Sequence, residues 1–465
     1  MKMEPKRKKI LAVAIIAMVA VGVGIGVWIL LPTPYGAVVL GELVTPGAPD
    51  DVPDSRIIRV GLLGPMTEIQ GEGTWQGAYL ACDKINTAGG VLIGGDRYYF
   101  GLIAEDTFEA DPIVDLPKVN AAATKIVTDD KARFIIGGFR TEAVLSYQEI
   151  IMDNEMLFLG AGPSTDTFCQ LVNSSYSRYK YWFRVTPINS TSLATELITY
   201  LVYLTNYMSF VLGRTVDQVA ILREDHIWSV PLALGLKGAL AFYGLNLSAE
   251  IAFPPTADAA DFNTYWSQIE ANGTQICVPM ISAQGGLLMT TQYQALQPQC
   301  LIAGIDVQSQ LDTYWSETGG ACEYEVILQA LTRTNKTTKS IAFWDDYVSH
   351  YDEEPIYTAT GSYDAMYALL HAIDQGQTLN STELVPVLET INATNPLEGV
   401  AGNLAFTYTH DVTEGYNPGT QEIWGVTLFT QWQAGGKKEC LSSGNLVYPD
   451  YVVTANLALP SWGIN

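Results

Sequence analysis

Three apolar runs in this chain end alike, in glycine followed by small polar or charged side chains. "FLGAGPST" (158–165) closes on Gly160, Gly162 and the hydroxyls of Ser164 and Thr165. "RFIIGGFRTE" (133–142) passes through Gly137 and Gly138 to Arg140, Thr141 and Glu142, and "CLIAGIDVQ" (300–308) ends at Gly304 and Asp306. Glycine lets a ligand come close to backbone, and hydroxyls with free amides can grip an anion. Taken singly, each glycine is ordinary loop punctuation. Repeated at corresponding places, the endings point to one pocket built from several strand tips.

Catalytic constellations are absent. No G-x-S-x-G elbow, H-E-x-x-H helix or Walker A loop occurs. The four histidines (His226, His350, His371, His410) are far apart and follow no metal-ligand spacing, so they read as surface or loop residues. Gly71, Gly73 and Gly77 imitate a dinucleotide loop, but Gln76 stands where the third glycine is needed. Asp345–Asp346 and Glu353–Glu354 lie in polar stretches and read as solvated charge. The expectation is a binding protein rather than an enzyme, with no cofactor and no metal.

The elements that must hold the tips follow from the pattern. Short, nearly continuous apolar runs at 57–63, 98–104, 133–137, 156–160, 218–222, 275–281 and 300–304 have the look of strands buried on both faces. Helical periodicity fills the gaps, as in Trp75, Ala78, Tyr79, Cys82 and Ile85 on one face before Gly89–Gly90. Further helices are expected near 112–128, 141–153, 190–208, 229–243, 259–272 and 285–296. Strand and helix alternating in this way specify an α/β fold of doubly wound, Rossmann-like sheets, which bind ligands outside the carboxyl ends of their strands.

With 465 residues, two domains or lobes are expected. The net charge is −24, and five of the 25 basic residues fall in the first nine positions against one of the 49 acids. The rest therefore carries 20 basic and 48 acidic residues, a surface that repels phosphate backbones and removes nucleic acid from the partners. Next come 22 residues, 10–31, without a charge. They are long enough to span a bilayer and read as an uncleaved anchor, against a long signal peptide cut near 36–37. The basic tail stays in the cytoplasm and places everything after it outside the cell membrane. Seven sequons, at Asn173, Asn189, Asn246, Asn272, Asn335, Asn380 and Asn392, fit a glycosylated exterior. The six cysteines are too scattered for a disulfide scaffold, although Cys277 and Cys300 would pair if their runs were suitably placed neighbouring strands.

The segments "IRVGLLGPMT…GEGTWQGAYLACDKINTAGGV", "FIIGGFRTEAVLS", "EMLFLGAGPST", "YWFRVTPIN", "VAILRED", "LIAGID" and "GNLAFTYTHD" run in the order seen in type I periplasmic solute-binding proteins. Over about 56–440 the chain most resembles the branched-chain amino acid and amide binders of ABC importers, the leucine/isoleucine/valine-binding type. The resemblance implies two lobes joined by three crossover segments and closing on a ligand as a hinged clamp. Those crossings would lie at 184–189, within 308–326 and shortly before Gly402. It implies a first lobe of 56–185 and 325–400, and a second of 186–324 and 401–450. A cytoplasmic tail (1–9), an anchor (10–31), a linker (32–55) and a C-terminal tail (451–465) complete the chain.

Carried onto matching positions, the resemblance gives Thr141 the ligand's α-carboxylate, with a backbone contact from Gly162 and a hydroxyl contact from Ser164. Asp306 would pair the ligand's ammonium and Trp228 would close over it. Gln70 stands in a loop that usually adds an aromatic wall. Glu142 departs from the pattern, because a small hydroxyl residue is usual there and a carboxylate repels a carboxylate unless Arg140 offsets it. The implied function is capture of a small polar, amino-acid-like solute for an ABC transporter permease. A ligand-sensing ectodomain working through a partner membrane protein is the alternative, and neighbouring permease and ATPase genes would separate the two.

Overall fold

The structure, a computed structural model, describes residues 35–465. The expected anchor over 10–31 and the tail before it lie outside these. Among the described residues no helix is long and apolar enough to cross a membrane.

Two sheets carry the fold. The first joins β1 (Ile57–Gly64), β2 (Val91–Ile93), β3 (Asp96–Asp106), β4 (Phe134–Gly137), β5 (Phe158–Gly160) and β6 (Trp182–Arg184) in the order β2-β3-β1-β4-β5-β6. The second contains β7 (Gln218–Glu224), β8 (Asn246–Phe253), β9 (Ile276–Ile281), β10 (Leu301–Asp306) and β11 (Val326–Gln329). Two short pairs, β12 (Leu397–Glu398) with β13 (Asn403–Leu404) and β14 (Tyr416–Asn417) with β15 (Glu422–Ile423), lie between the sheets' last elements. β16 (Leu428–Gln433) and β17 (Lys437–Cys440) then extend the second sheet, whose order is β17-β16-β11-β10-β9-β7-β8. Within each sheet the central pairings are parallel, and helices cover both faces. Double coverage explains the unbroken apolar runs: every residue of β4, β5, β6, β9, β10 and β11 is buried.

Gly73 and Gly77 find a purpose in packing. The helix Ile69–Thr87 lies against the helix Tyr357–Gly376, and a side chain on Gly77 would collide with the Ala359 carbonyl oxygen. The glycines permit close helix contact, with no phosphate loop involved.

Four expectations require correction. The stretch 32–55 is no free tether from Tyr35 onward. Val44 exchanges backbone hydrogen bonds with Leu102 (2.9 and 2.8 Å), Gly41 donates to Ala104 at 2.9 Å, and Trp75 donates from its indole to Gly36 at 2.8 Å. An exposed sheet edge offers unpaired backbone groups, and this segment satisfies them along β3. Secondly, β11 belongs to the second sheet, so the second crossing follows Gln329 instead of lying within 308–326. Thirdly, Leu404, Phe406 and Val412 sit in the first lobe's core, while Ile423 and Val426 sit in the second's, so the third crossing falls between 412 and 423. Lastly, all six cysteines are buried free thiols. β9 and β10 are neighbours, but Ile302 is the residue opposite Cys277, which leaves Cys300 out of register for a disulfide.

The crossings are bound to one another. Arg184, completely buried at the end of β6, donates from Nε to Asp411 Oδ1 at 2.7 Å and from its Nη atoms to the carbonyls of Pro163 and Thr165. Asn189 in the first crossing donates to the other Asp411 oxygen at 3.0 Å. Lys336 in the second crossing, also buried, donates to the carbonyls of Ala330 (2.8 Å) and Val426. Deleting one partner of a buried ion pair strands the other charge, at about 3–5 kcal/mol. Arg184→Met should therefore lower unfolding stability by about that amount in urea titrations; a loss under about 1 kcal/mol would show that the crossings hold without it.

Candidate functional site

The carboxyl ends of the strands in the two sheets converge. On the first lobe, β4 ends through Gly137 and Gly138, both with positive φ (123° and 83°), which turns the chain sharply into Phe139 and Arg140. Arg140 occupies the N-cap position of the helix Thr141–Asp153 without a side-chain cap, so Thr141 is the first helical residue and not the cap. The neighbouring tip, 160–165, comes so close that a Cβ on Gly162 would overlap the Gly138 carbonyl oxygen. Ser164 is buried there, and its carbonyl accepts from Ser190 N at 2.8 Å.

On the second lobe, β7 ends at Glu224 and leads through His226 and Trp228 into the helix Ser229–Leu240. Glu224 is fully buried, accepts from the Trp228 indole and the Ser282 hydroxyl, and receives Ala283 N at 3.4 Å. Burial raises its pKa above the usual carboxyl value. Ser282 and Gln284 stand on the tip after β9.

These tips meet directly. Gln70 donates to Ser282 O at 2.7 Å and Gln284 donates to Ala110 O at 2.6 Å, each bond joining one lobe to the other. Ala110, Phe139 and Ala283 form a small apolar contact beside them. Arg140 Nη1 donates to Asp111 O at 2.6 Å, while Nη2 reaches His226 Nε2 at 3.4 Å and Gln284 Oε1 at 3.5 Å. His226 is brought down to about 4, first by burial and then by the Arg140 charge. It is neutral near pH 7.

Behind this seam is a cavity with walls from both lobes. Phe139, Arg140, Gly162 and Ser164 line it from the first lobe; Trp228, Ser282, Ile305 and Val307 line it from the second. Ile188 and Leu193 after the first crossing, Gln310, Leu328, Ala330 at the second crossing, Tyr357 and Thr427 close the remainder. Its surroundings are mostly apolar, with polar groups from Arg140, Ser164 and Ser282 at the strand tips and from Gln310 and Thr427 elsewhere in the wall.

The sequence-derived residues separate accordingly. Gly162, Ser164 and Trp228 line the cavity; Thr141 is buried next to Arg140, and its hydroxyl has no partner. Glu142 lies beside the seam, its Oε1 3.8 Å from Arg140 Nε and 3.9 Å from His226 Nδ1. Gln70 spans the lobes through its amide and supplies no aromatic wall. Asp306 is the correction. Side chains alternate along a strand, so Ile305 and Val307 face the cavity while Asp306 points into the second lobe's interior. It is fully buried, accepts from Gln308 N at 3.1 Å and from Tyr314 Oη at 2.8 Å, and packs against Gly286. Reading the chain alone missed Arg140 as a principal wall residue, and Glu224, His226, Ser282, Gln284 and Tyr357 altogether. A strand ending in "REDHIW" carried the signal for two of them.

The family described as periplasmic binding protein matches residues 57–420. Among solved structures, the chain is similar to LivJ, the branched-chain amino acid transporter substrate-binding protein from Streptococcus pneumoniae in complex with isoleucine. Identity is 18%, coverage is 82% of this chain and 98% of that one, and the TM-score is 0.66. The leucine-binding protein LivK from Thermotoga maritima matches at 16% identity, with 84% and 99% covered and a TM-score of 0.67. An ABC transporter solute-binding protein from R. palustris in complex with benzoate matches at 14%, with 85% and 99% covered and a TM-score of 0.64. At these identities the likeness is one of fold.

A structural Asp306 makes a pH prediction. Burial pushes its carboxyl up from 3.8 to about 6. The folded state thus keeps this proton to higher pH than the unfolded chain. Its contribution is fully present below about pH 4 and lost as pH rises through about 6. Asp306→Asn cannot ionise, so it should show a smaller fall in stability between about pH 4 and pH 7 than the parent chain in urea titrations. Equal slopes would contradict the assignment.

Proposed function

The chain belongs to the periplasmic binding protein family, and on that premise we propose that it captures a small solute with a carboxylate and an apolar body, and delivers it to an ABC importer. One observation carries the reading: a single cavity receives wall residues from both lobes, and the lobes are hydrogen-bonded to each other at its mouth. The three strapped crossings supply a hinge, and the Gln70 and Gln284 bonds supply a latch that forms on closure. Capture needs no catalytic group.

Within this reading Arg140, Thr141, Gly162 and Ser164 receive the solute's polar end. Trp228, Ile305 and Val307 enclose its apolar body. Glu142 and Gln70 stand at the rim and stabilise the closed state. Isoleucine, leucine and benzoate, the ligands named for similar proteins, share the combination of carboxylate and hydrocarbon that such a cavity suits. The apolar run over 10–31 after a basic tail supports an anchor with the lobes outside the cell. Exposure of Asn173, Asn246, Asn272, Asn335 and Asn380 supports glycans at those positions. Asn189 is already committed as a helix cap and a partner of Asp411.

Solute capture is tested by thermal melting and intrinsic fluorescence with branched and aromatic carboxylates and with amino acids. A ligand at 100 times its dissociation constant adds about 2.7 kcal/mol to stability. At least one solute should raise the melting temperature and shift the emission saturably, and Trp228→Phe should lose most of the emission change. Absence of any shift across the whole set would contradict capture of this solute class.

A further inference from the structure

Among the described residues, the wall of the cavity carries a guanidinium and no carboxylate. Arg140 has a side chain only 2% exposed, yet its guanidinium is incompletely engaged. Nη1 is bonded to Asp111 O, the two Nη2 contacts are long, and Nε has no hydrogen-bond partner. One residue on, the buried Thr141 hydroxyl is also without a partner. Both stand at the start of the 13-residue helix Thr141–Asp153, where backbone N–H groups and the helix dipole favour negative charge. A guanidinium fork, a hydroxyl and a helix N-terminus together match a carboxylate.

No carboxylate among the described residues lines the cavity, although Glu142 Oε2 and Glu196 Oε1 outside its wall are buried without a hydrogen-bond partner. Glu109 binds Arg140 N and the Thr107 hydroxyl, and burial pushes it up to about 7. Glu224 is occupied by Trp228, Ser282 and Ala283, and Asp306 faces the second lobe's interior. Glu142 sits between Arg140 and His226 outside the cavity wall. Neutral His226 adds no charge of either sign. The wall also carries Ile188, Leu193, Ile305, Val307 and Leu328, with Gln310 and Thr427 as uncharged polar members. An ammonium brought here would shed its water beside a guanidinium and meet no carboxylate in the cavity wall, a poorly compensated burial of charge.

Resting on the capture reading above, we propose that the site selects an apolar carboxylate without an α-ammonium group, such as a branched 2-oxo acid or an aryl carboxylate. Arg140 is the specificity-determining residue that pairs with it. The amine, not the hydrocarbon, is what the cleft rejects.

Calorimetry on the full-length protein separates the outcomes. Leucine and 4-methyl-2-oxopentanoate have the same branched skeleton and differ in the amine and oxo group, while benzoate and methyl benzoate differ in the anionic charge. The 2-oxo acid should bind at least about ten-fold tighter than leucine, and benzoate at least about ten-fold tighter than its ester. Arg140→Gln should weaken carboxylate binding by about 30-fold or more, with Arg140→Lys intermediate. Leucine binding as tightly as its oxo acid would overturn the inference while leaving solute capture intact. No binding by any of the four would overturn both. Should Arg140→Gln fail to fold, the ranking on the parent protein decides alone.

Discussion

Arg184 carries its charge where no water reaches, and the backbone around it is arranged to answer that charge. Its guanidinium is met by Asp411 and by two carbonyls of the 160–165 tip, and Asp411 in turn holds Asn189. The first crossing is thereby fastened to Asp411 at the edge of the third, and Lys336 ties the second to Val426 just beyond the third. A buried charge that loses its partner is worth several kcal/mol of instability, so these segments cannot separate freely. In the proposed clamp, bending about this edge opens and closes the strand tips on the far side.

That geometry decides which side chains can take part in binding. Ile305 and Val307 face the cavity because they stand one residue either side of Asp306, which must then look inward. Gly138 and Gly162 let two tips approach to backbone contact, bringing Ser164 and Arg140 to the same wall. The result is a mostly apolar enclosure whose one charged wall residue, among those described, is Arg140. Inside such a low-dielectric space a single guanidinium has far more influence on ligand choice than it would at a surface.

Much of the fold was legible in the chain because strands in a doubly covered sheet are apolar throughout, as "FIIG" and "ICVPMI" are. What escaped was what depends on edges and phase. β8 lies at the sheet's border, where "NLSAEIAF" needs only partial burial and gives no continuous run. The proline- and glycine-rich 35–55 segment has a linker's composition yet pairs with β3, a pairing visible only once the edge is built. Asp306 was correctly placed at a strand end, but its direction follows from an alternation that a one-residue shift reverses. Arg140 was read only as an offset for Glu142, since sequence reveals a charge without revealing whether its donors are satisfied.

Small-angle scattering in solution, on the protein with and without a saturating branched or aryl carboxylate, tests the clamp most directly. If the lobes swing about the Arg184 edge and shut over the solute, the radius of gyration falls as ligand is added and levels off at saturation. A carboxylate that binds tightly and leaves the radius unchanged would mean that the two halves do not close on what they hold.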